Sequence, residues 1–160
     1  YLLFIRSFTM KTTSKILFAL IATLSLGTAY ADETDIQVTA SVMNNCKIIS
    51  AQDLNFGQLD PANAVNKSVE GTVSFACTKD ADYTLSADNG QHYDATSSKR
   101  RMNNGSNYLP YALAQASFTG SGQGFSTPNT VDLNAEIQGA DYRDLPAVSF
   151  ADTLHLTLLP

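Results

Sequence analysis

Tryptophan is absent from the chain, cysteine and histidine occur only twice each, and Lys and Arg together number 10 among 160 residues. Each shortage closes off a class of function. Ten cations against 15 acidic residues leave a net charge of −5, which argues against nucleic acid or an anionic membrane surface as a partner. Cys46 and Cys77 stand far apart with no His pair beside them, so they form neither a zinc pattern nor a C-x-x-C redox pair. His155, in "TLHLT", alternates to the outward face of a strand. His92 lies near Asp88 and Asp94, but three loosely spaced residues in a turn-rich stretch read as a solvated loop rather than a metal site. The glycines of "GSGQG" miss the G-x-G-x-x-G spacing, and Lys99 to Arg101 is the single basic cluster. No nucleophile, base and orienting group can be assembled. The expectation is no enzyme, no cofactor and no metal.

What is present begins with an export pattern. From Met10, Lys11 and Lys15 precede an apolar run from Ile16 to Leu26 and a small-x-small site, Ala29-Tyr30-Ala31. Residues 10–31 read as a secretory signal peptide, because the run is shorter than the roughly 20 apolar residues of a membrane span. Residues 1–9 read as a non-native upstream extension. No stable membrane insertion is expected of the remainder, which loses Arg6, Lys11 and Lys15 and becomes more acidic still. An oxidising compartment would pair Cys46 with Cys77, and closing a loop of about 31 residues stabilises a fold by roughly 3–4 kcal/mol.

Past the signal, period-two alternation recurs and helical periodicity does not. In Asp35–Met43, Ile36, Val38, Ala40 and Val42 face one way. In "SVEGTVSFAC" Val69, Val73, Phe75 and Cys77 share a face, and in "YTLSA" Tyr83, Leu85 and Ala87 do. "YLPYAL" offers Leu109, Tyr111 and Leu113, with Pro110 confining it to an edge or a bulge. "VDLNAEI" places Val131, Leu133, Ala135 and Ile137 inward, and "DTLHLTLLP" does the same with Leu154, Leu156 and Leu158. Turn signals separate these runs: "DPANAVN", "ADNGQ", "NNGSN" and the Gly/Ser-rich "FTGSGQGFSTPN". The expected fold is an all-β sandwich.

An immunoglobulin-type sandwich needs about seven strands. Here the sequence stops at Pro160, directly after the Leu154–Leu158 alternation. The expectation is therefore an incomplete immunoglobulin-like β-sandwich of six strands over residues 45–160, with a groove cored by Val73, Phe75, Leu133, Ile137, Leu154, Leu156 and Leu158. Residues 32–44 precede the first cysteine and carry Ile36, Val38, Ala40 and Val42 at the spacing of alternate pockets. They could fill that groove in a neighbouring copy as a donor strand, or fold back as the first strand of their own domain. The residues themselves leave both open.

Taken in order, the motifs resemble the spore coat protein U domain family. A strand leads into Cys46, then come "LNFGQLDP", "EGTVSFACT" with Cys77, "YTLSADNG", "RRMNNGSNYLPYAL", and an aspartate-threonine lead into "DTLHLTL". Two stretches depart from the family pattern: "AQASFTGSGQGF" lacks the usual Trp-Gly pair, and "DYRDLPAVSFADT" is longer than the usual approach to the last strand. The resemblance implies a structural pilin of an archaic chaperone-usher pilus (Csu-type), exported through the periplasm to the bacterial surface and polymerised by donor-strand exchange for attachment and biofilm formation. It implies a periplasmic chaperone, an outer-membrane usher and other pilin subunits as partners. The alternatives are a secreted surface- or carbohydrate-binding module and a spore-coat-like structural protein.

Overall fold

The alternation becomes eight strands in the computed structural model, which describes residues 30–160. They are β1 (Cys46–Ala51), β2 (Lys67–Cys77), β3 (Asp82–Ala87), β4 (Arg100–Asn103), β5 (Tyr108–Leu113), β6 (Ser117–Ser121), β7 (Asn129–Ile137) and β8 (Leu156–Leu159). The expected upstream extension and all of the expected signal peptide except Tyr30 and Ala31 lie outside the described residues. All strand pairings are antiparallel, in a five-stranded sheet ordered β1-β2-β7-β5-β4 and a three-stranded sheet ordered β6-β3-β8. Among the described residues the helical elements are α1 (Gly139–Tyr142) and a single 3-10 turn at Pro61–Asn63, so the fold is all-β. No helix among them is long and apolar enough to cross a membrane.

The strands with clean alternation bury the faces their sequences dictate. Along β2, Val73, Phe75 and Cys77 are fully buried, and along β7, Leu133, Ala135 and Ile137 are buried. Leu85 does the same on β3, as do Leu109 and Tyr111 on β5. Phe75 of β2 meets Tyr83 of β3 edge to face, with ring centroids 4.8 Å apart, which joins the two sheets through an aromatic pair. The disulfide links Cys46 and Cys77, which face each other directly in the β1–β2 ladder.

Eight strands are present where six were expected, and composition explains the extra ones. β6 is built from "SFTGS", the front of the stretch whose Gly and Ser content reads as a loop; its ladder to β3 supplies the order that its side chains do not. β4 is four residues, "RRMN", held by β5. In β1 the alternation breaks because Ile49 is an extra residue, a bulge between the pairs Ile48–Phe75 and Ser50–Ser74. Pro110 lies in β5 beyond the stretch that pairs with β7, which covers only Ala112 and Leu113, so its missing amide leaves no gap in that ladder.

Core side chains form two clusters. One gathers Phe56, Leu109, Tyr111, Ala135, Ile137 and Tyr142; the other gathers Val73, Phe75, Cys77, Leu85 and Leu133. The whole sandwich belongs to the unit Ala40–Pro160. Residues 30–45 form no strand, and Tyr30, Ile36, Val38, Val42 and Met43 are each more than three-quarters exposed. A strand needs a partner strand for its amides and carbonyls, and among the described residues the alternation over Asp35–Met43 forms no strand.

Candidate functional site

Two sheets of unequal width cannot cover each other completely, and the shortfall falls at β8. This strand is four residues long and pairs with β3 alone, from Thr84–Leu159 to Ala87–Leu156. Among the described residues its other edge carries no partner strand. Leu156 and Leu158 point at the second core cluster and Leu154 at the first, yet all three remain half-buried. Across from them, Ile48 of β1 and Val131 of β7 are half-buried against the same second cluster. The edge strands β1 and β8 come within 8 Å of each other between Cα atoms.

The groove residues expected from the sequence thus divide in two. Val73, Phe75, Leu133 and Ile137 are sealed inside the core, whereas Leu154, Leu156 and Leu158 form the accessible apolar wall. Ile48 and Val131 join that wall; the bulge in β1 hid the first, and the second was legible as the start of the β7 alternation. Of the four edge strands among the described residues, β1, β4, β6 and β8, the two beside this wall differ in kind. β1 is bulged at Ile49, a device that discourages further pairing, while the β3–β8 register runs without a shift.

The chain reaches β8 by crossing from the wide sheet to the narrow one. Ala151 pairs with Asn103 at the end of β4, with amide-to-carbonyl distances of 2.9 and 3.1 Å. Four residues later, His155 pairs with Asp88 just after β3: the Asp88 amide donates to the His155 carbonyl, and the His155 amide donates to Asp88 Oδ1, both at 3.0 Å. Between these ties the Asp152 side chain is only 4% exposed. Its Oδ1 accepts the Gln91 amide at 3.0 Å and lies 3.1 Å from His92 Nδ1, while its Oδ2 accepts the Tyr111 hydroxyl at 2.7 Å. Gly90 has φ +78, and a Cβ there would stand 2.1 Å from Asp152 Oδ2, so the loop can approach the carboxyl only as glycine.

Titration of these groups follows their surroundings. Burial first, then the hydrogen bond to Asp152, pushes the Tyr111 phenol well above its usual value. For Asp88 partial desolvation works upward, but hydrogen bonds from the His155 and Gly90 amides and the nearby His155 and Arg100 charges outweigh it and hold the carboxyl below 3.8. Arg100 further fixes this corner by donating from Nε and NH2 to the Asp88 carbonyl at 2.9 and 2.8 Å.

His92, considered from the sequence alongside Asp88 and Asp94, faces Asp152 instead, and Asp94 binds Ser97 and Arg101. Among the described residues no group of His, Cys, Asp or Glu side chains is placed to hold a metal ion. The role of Asp152 was not legible from its neighbours in sequence, because its partners at 91, 92 and 111 are distant along the chain. Only the aspartate-threonine lead into the last strand hinted at it.

Residues 32–157 match the family described as the Spore Coat Protein U domain. No curated protein matches the chain. Among solved structures the chain is similar to one in the CsuC-CsuE chaperone-tip adhesion subunit pre-assembly complex from archaic chaperone-usher Csu pili of Acinetobacter baumannii, at 20% identity and a TM-score of 0.47. That similarity covers 74% of this chain and 40% of the solved one, so the chain spans less than half the length of its counterpart.

Proposed function

The chain belongs to the spore coat protein U domain family, and from that membership we propose that it is a structural pilin subunit of an archaic chaperone-usher pilus. Its domains are a signal peptide over residues 10–31, a donor strand over 32–44 and an acceptor sandwich over 45–160, with residues 1–9 as a non-native upstream extension. The observation that carries the reading is a complementary pair of defects in one chain. Among the described residues, the edge of β8 without a partner strand runs beside half-buried Leu154, Leu156 and Leu158, while Ile36, Val38, Ala40 and Val42 alternate along an exposed segment that forms no strand. β-Strand addition satisfies both: the edge receives main-chain hydrogen bonds, and alternate side chains of the added strand enter the apolar wall.

Burial of Ile36, Val38 and Val42 at roughly 1.5–3 kcal/mol each gives on the order of 5–9 kcal/mol before ordering costs. Ordering a short segment costs about 1–2 kcal/mol per residue, so this burial offsets much of that cost and the main-chain hydrogen bonds along the β8 edge supply the rest. In this reading a periplasmic chaperone covers the β8 edge first, an outer-membrane usher exchanges it for the next subunit's N-terminal strand, and the fibre stands on the cell surface in attachment and biofilm formation.

The test uses the secreted protein lacking Asp32–Asn44 together with a peptide of that sequence. The truncated domain is expected to be unstable or chaperone-dependent alone and to be stabilised by the peptide, read as a rise in Tm. A truncated domain that folds normally and ignores the peptide would refute donation.

A further inference from the structure

The lead into β8 has a second consequence, which rests on the acceptor reading above. We propose that Asp152 and Asp88 are positioning residues that hold β8 ready for an incoming strand, so that the acceptor edge is ordered before the strand of a second copy arrives. Neither residue lies on the apolar wall. Together they bracket Thr153 and Leu154, the short span over which the chain leaves one sheet and enters the other.

Three observations support a built device. Asp152 is a buried carboxyl whose two oxygens serve three partners on two separate elements: the 91–92 loop through Gln91 and His92, and β5 through Tyr111. Asp88 grips His155 from both sides of its peptide, through its own amide and through Oδ1. Gly90, between them, sits in a left-handed conformation where a side chain would strike Asp152. The grip matters because β8 itself is weakly held: it has four residues, one pairing partner and no fully buried side chain. An edge that must first be ordered takes its ordering cost from binding, whereas one fixed in advance does not. Strand pairing is fixed by register, so a displaced Leu156 would misplace the pairs along the rest of the edge.

The experiment uses the full secreted chain and a fluorescent peptide of residues 32–44, with the association rate followed by anisotropy and amide exchange read along β8 and β7. Asp152→Asn keeps the shape but cannot accept from all three donors. It is expected to slow peptide association about tenfold, and to speed exchange at Leu156–Leu159 about tenfold, the equivalent of ~1.4 kcal/mol, with β7 exchange unchanged. Tyr111→Phe removes one of the three contacts and should do the same to a smaller extent, which keeps the test available if Asp152→Asn fails to fold. Asp94→Asn, on the same loop but outside the lead into β8, should leave both readouts alone. Wild-type protein that captures peptide while both variants capture it at the wild-type rate overturns the positioning role and leaves the acceptor reading standing. Wild-type protein that never captures peptide overturns both.

Discussion

The wide sheet and the narrow sheet are built from the same alternating pattern but finished to different degrees. In the wide sheet, β2 has neighbours on both sides, a disulfide to β1 and a continuous run of buried Val73, Phe75 and Cys77. In the narrow sheet, β8 is an edge strand with one neighbour, as β1 and β4 are in the wide one, but it also has three leucines left half-buried in and just before it. A strand flanked on both sides contributes to the stability of its own domain. A strand flanked on one side holds part of its stabilisation in reserve for whatever pairs with it next.

This contrast can be broken first where the wide sheet is strongest. Phe75→Ala should cost about 3–5 kcal/mol in urea denaturation, since it empties a fully buried site and removes the aromatic pair with Tyr83. Replacing both Cys46 and Cys77 with Ser should cost roughly 3–4 kcal/mol through the freed loop, and reduction of the wild-type protein should reproduce that loss. Leu156→Ala should cost only about 1–2 kcal/mol in the full secreted chain, below the ~2–5 of a buried leucine, because the side chain is half-buried. If Leu156→Ala matches Phe75→Ala in cost, the two sheets are equally finished and the contrast is lost.

Acid should touch the narrow side as well. The folded state holds the Asp88 carboxyl below its ordinary 3.8, so the contribution is fully present above that value and disappears as pH falls through the lower folded one. A titration of unfolding free energy should therefore be less steep below pH 3.8 for Asp88→Asn than for wild type; identical slopes would remove Asp88 from the account. The smallest effect on the domain is expected from Val38→Asp, within about 0.5 kcal/mol, because the side chain is 93% exposed. That same substitution should block fibre growth, measured by sedimentation. A variant that assembles normally would show that the segment is not donated at that position.

Much of the sandwich was legible because burial of one face imposes a period of two. β2, β5 and β7 were found with their inward residues correct, since Val73, Phe75, Leu109, Tyr111, Leu133 and Ile137 are apolar where the core requires it. β6 and β4 were not, because Ser, Gly, Arg and Asn in short edge strands take their order from the neighbouring ladder. The bulge at Ile49 concealed β1 by shifting the phase of the alternation within six residues. Of the residues expected to core a groove, Leu154, Leu156 and Leu158 are half-buried and Val73, Phe75, Leu133 and Ile137 are buried, because which apolar residues stay accessible depends on how many strands the facing sheet has.

By itself, the sequence determined the all-β class, the inward faces of the long strands and the pairing of its two cysteines, because these follow from local alternation and composition. Only the tertiary structure decided that five strands face three, that β8 is an edge strand among the described residues, and that Asp152 draws Gln91, His92 and Tyr111 to one carboxyl. Those outcomes rest on contacts between residues tens of positions apart, and hydrogen bonds and sheet edges at such separations leave no period in the chain.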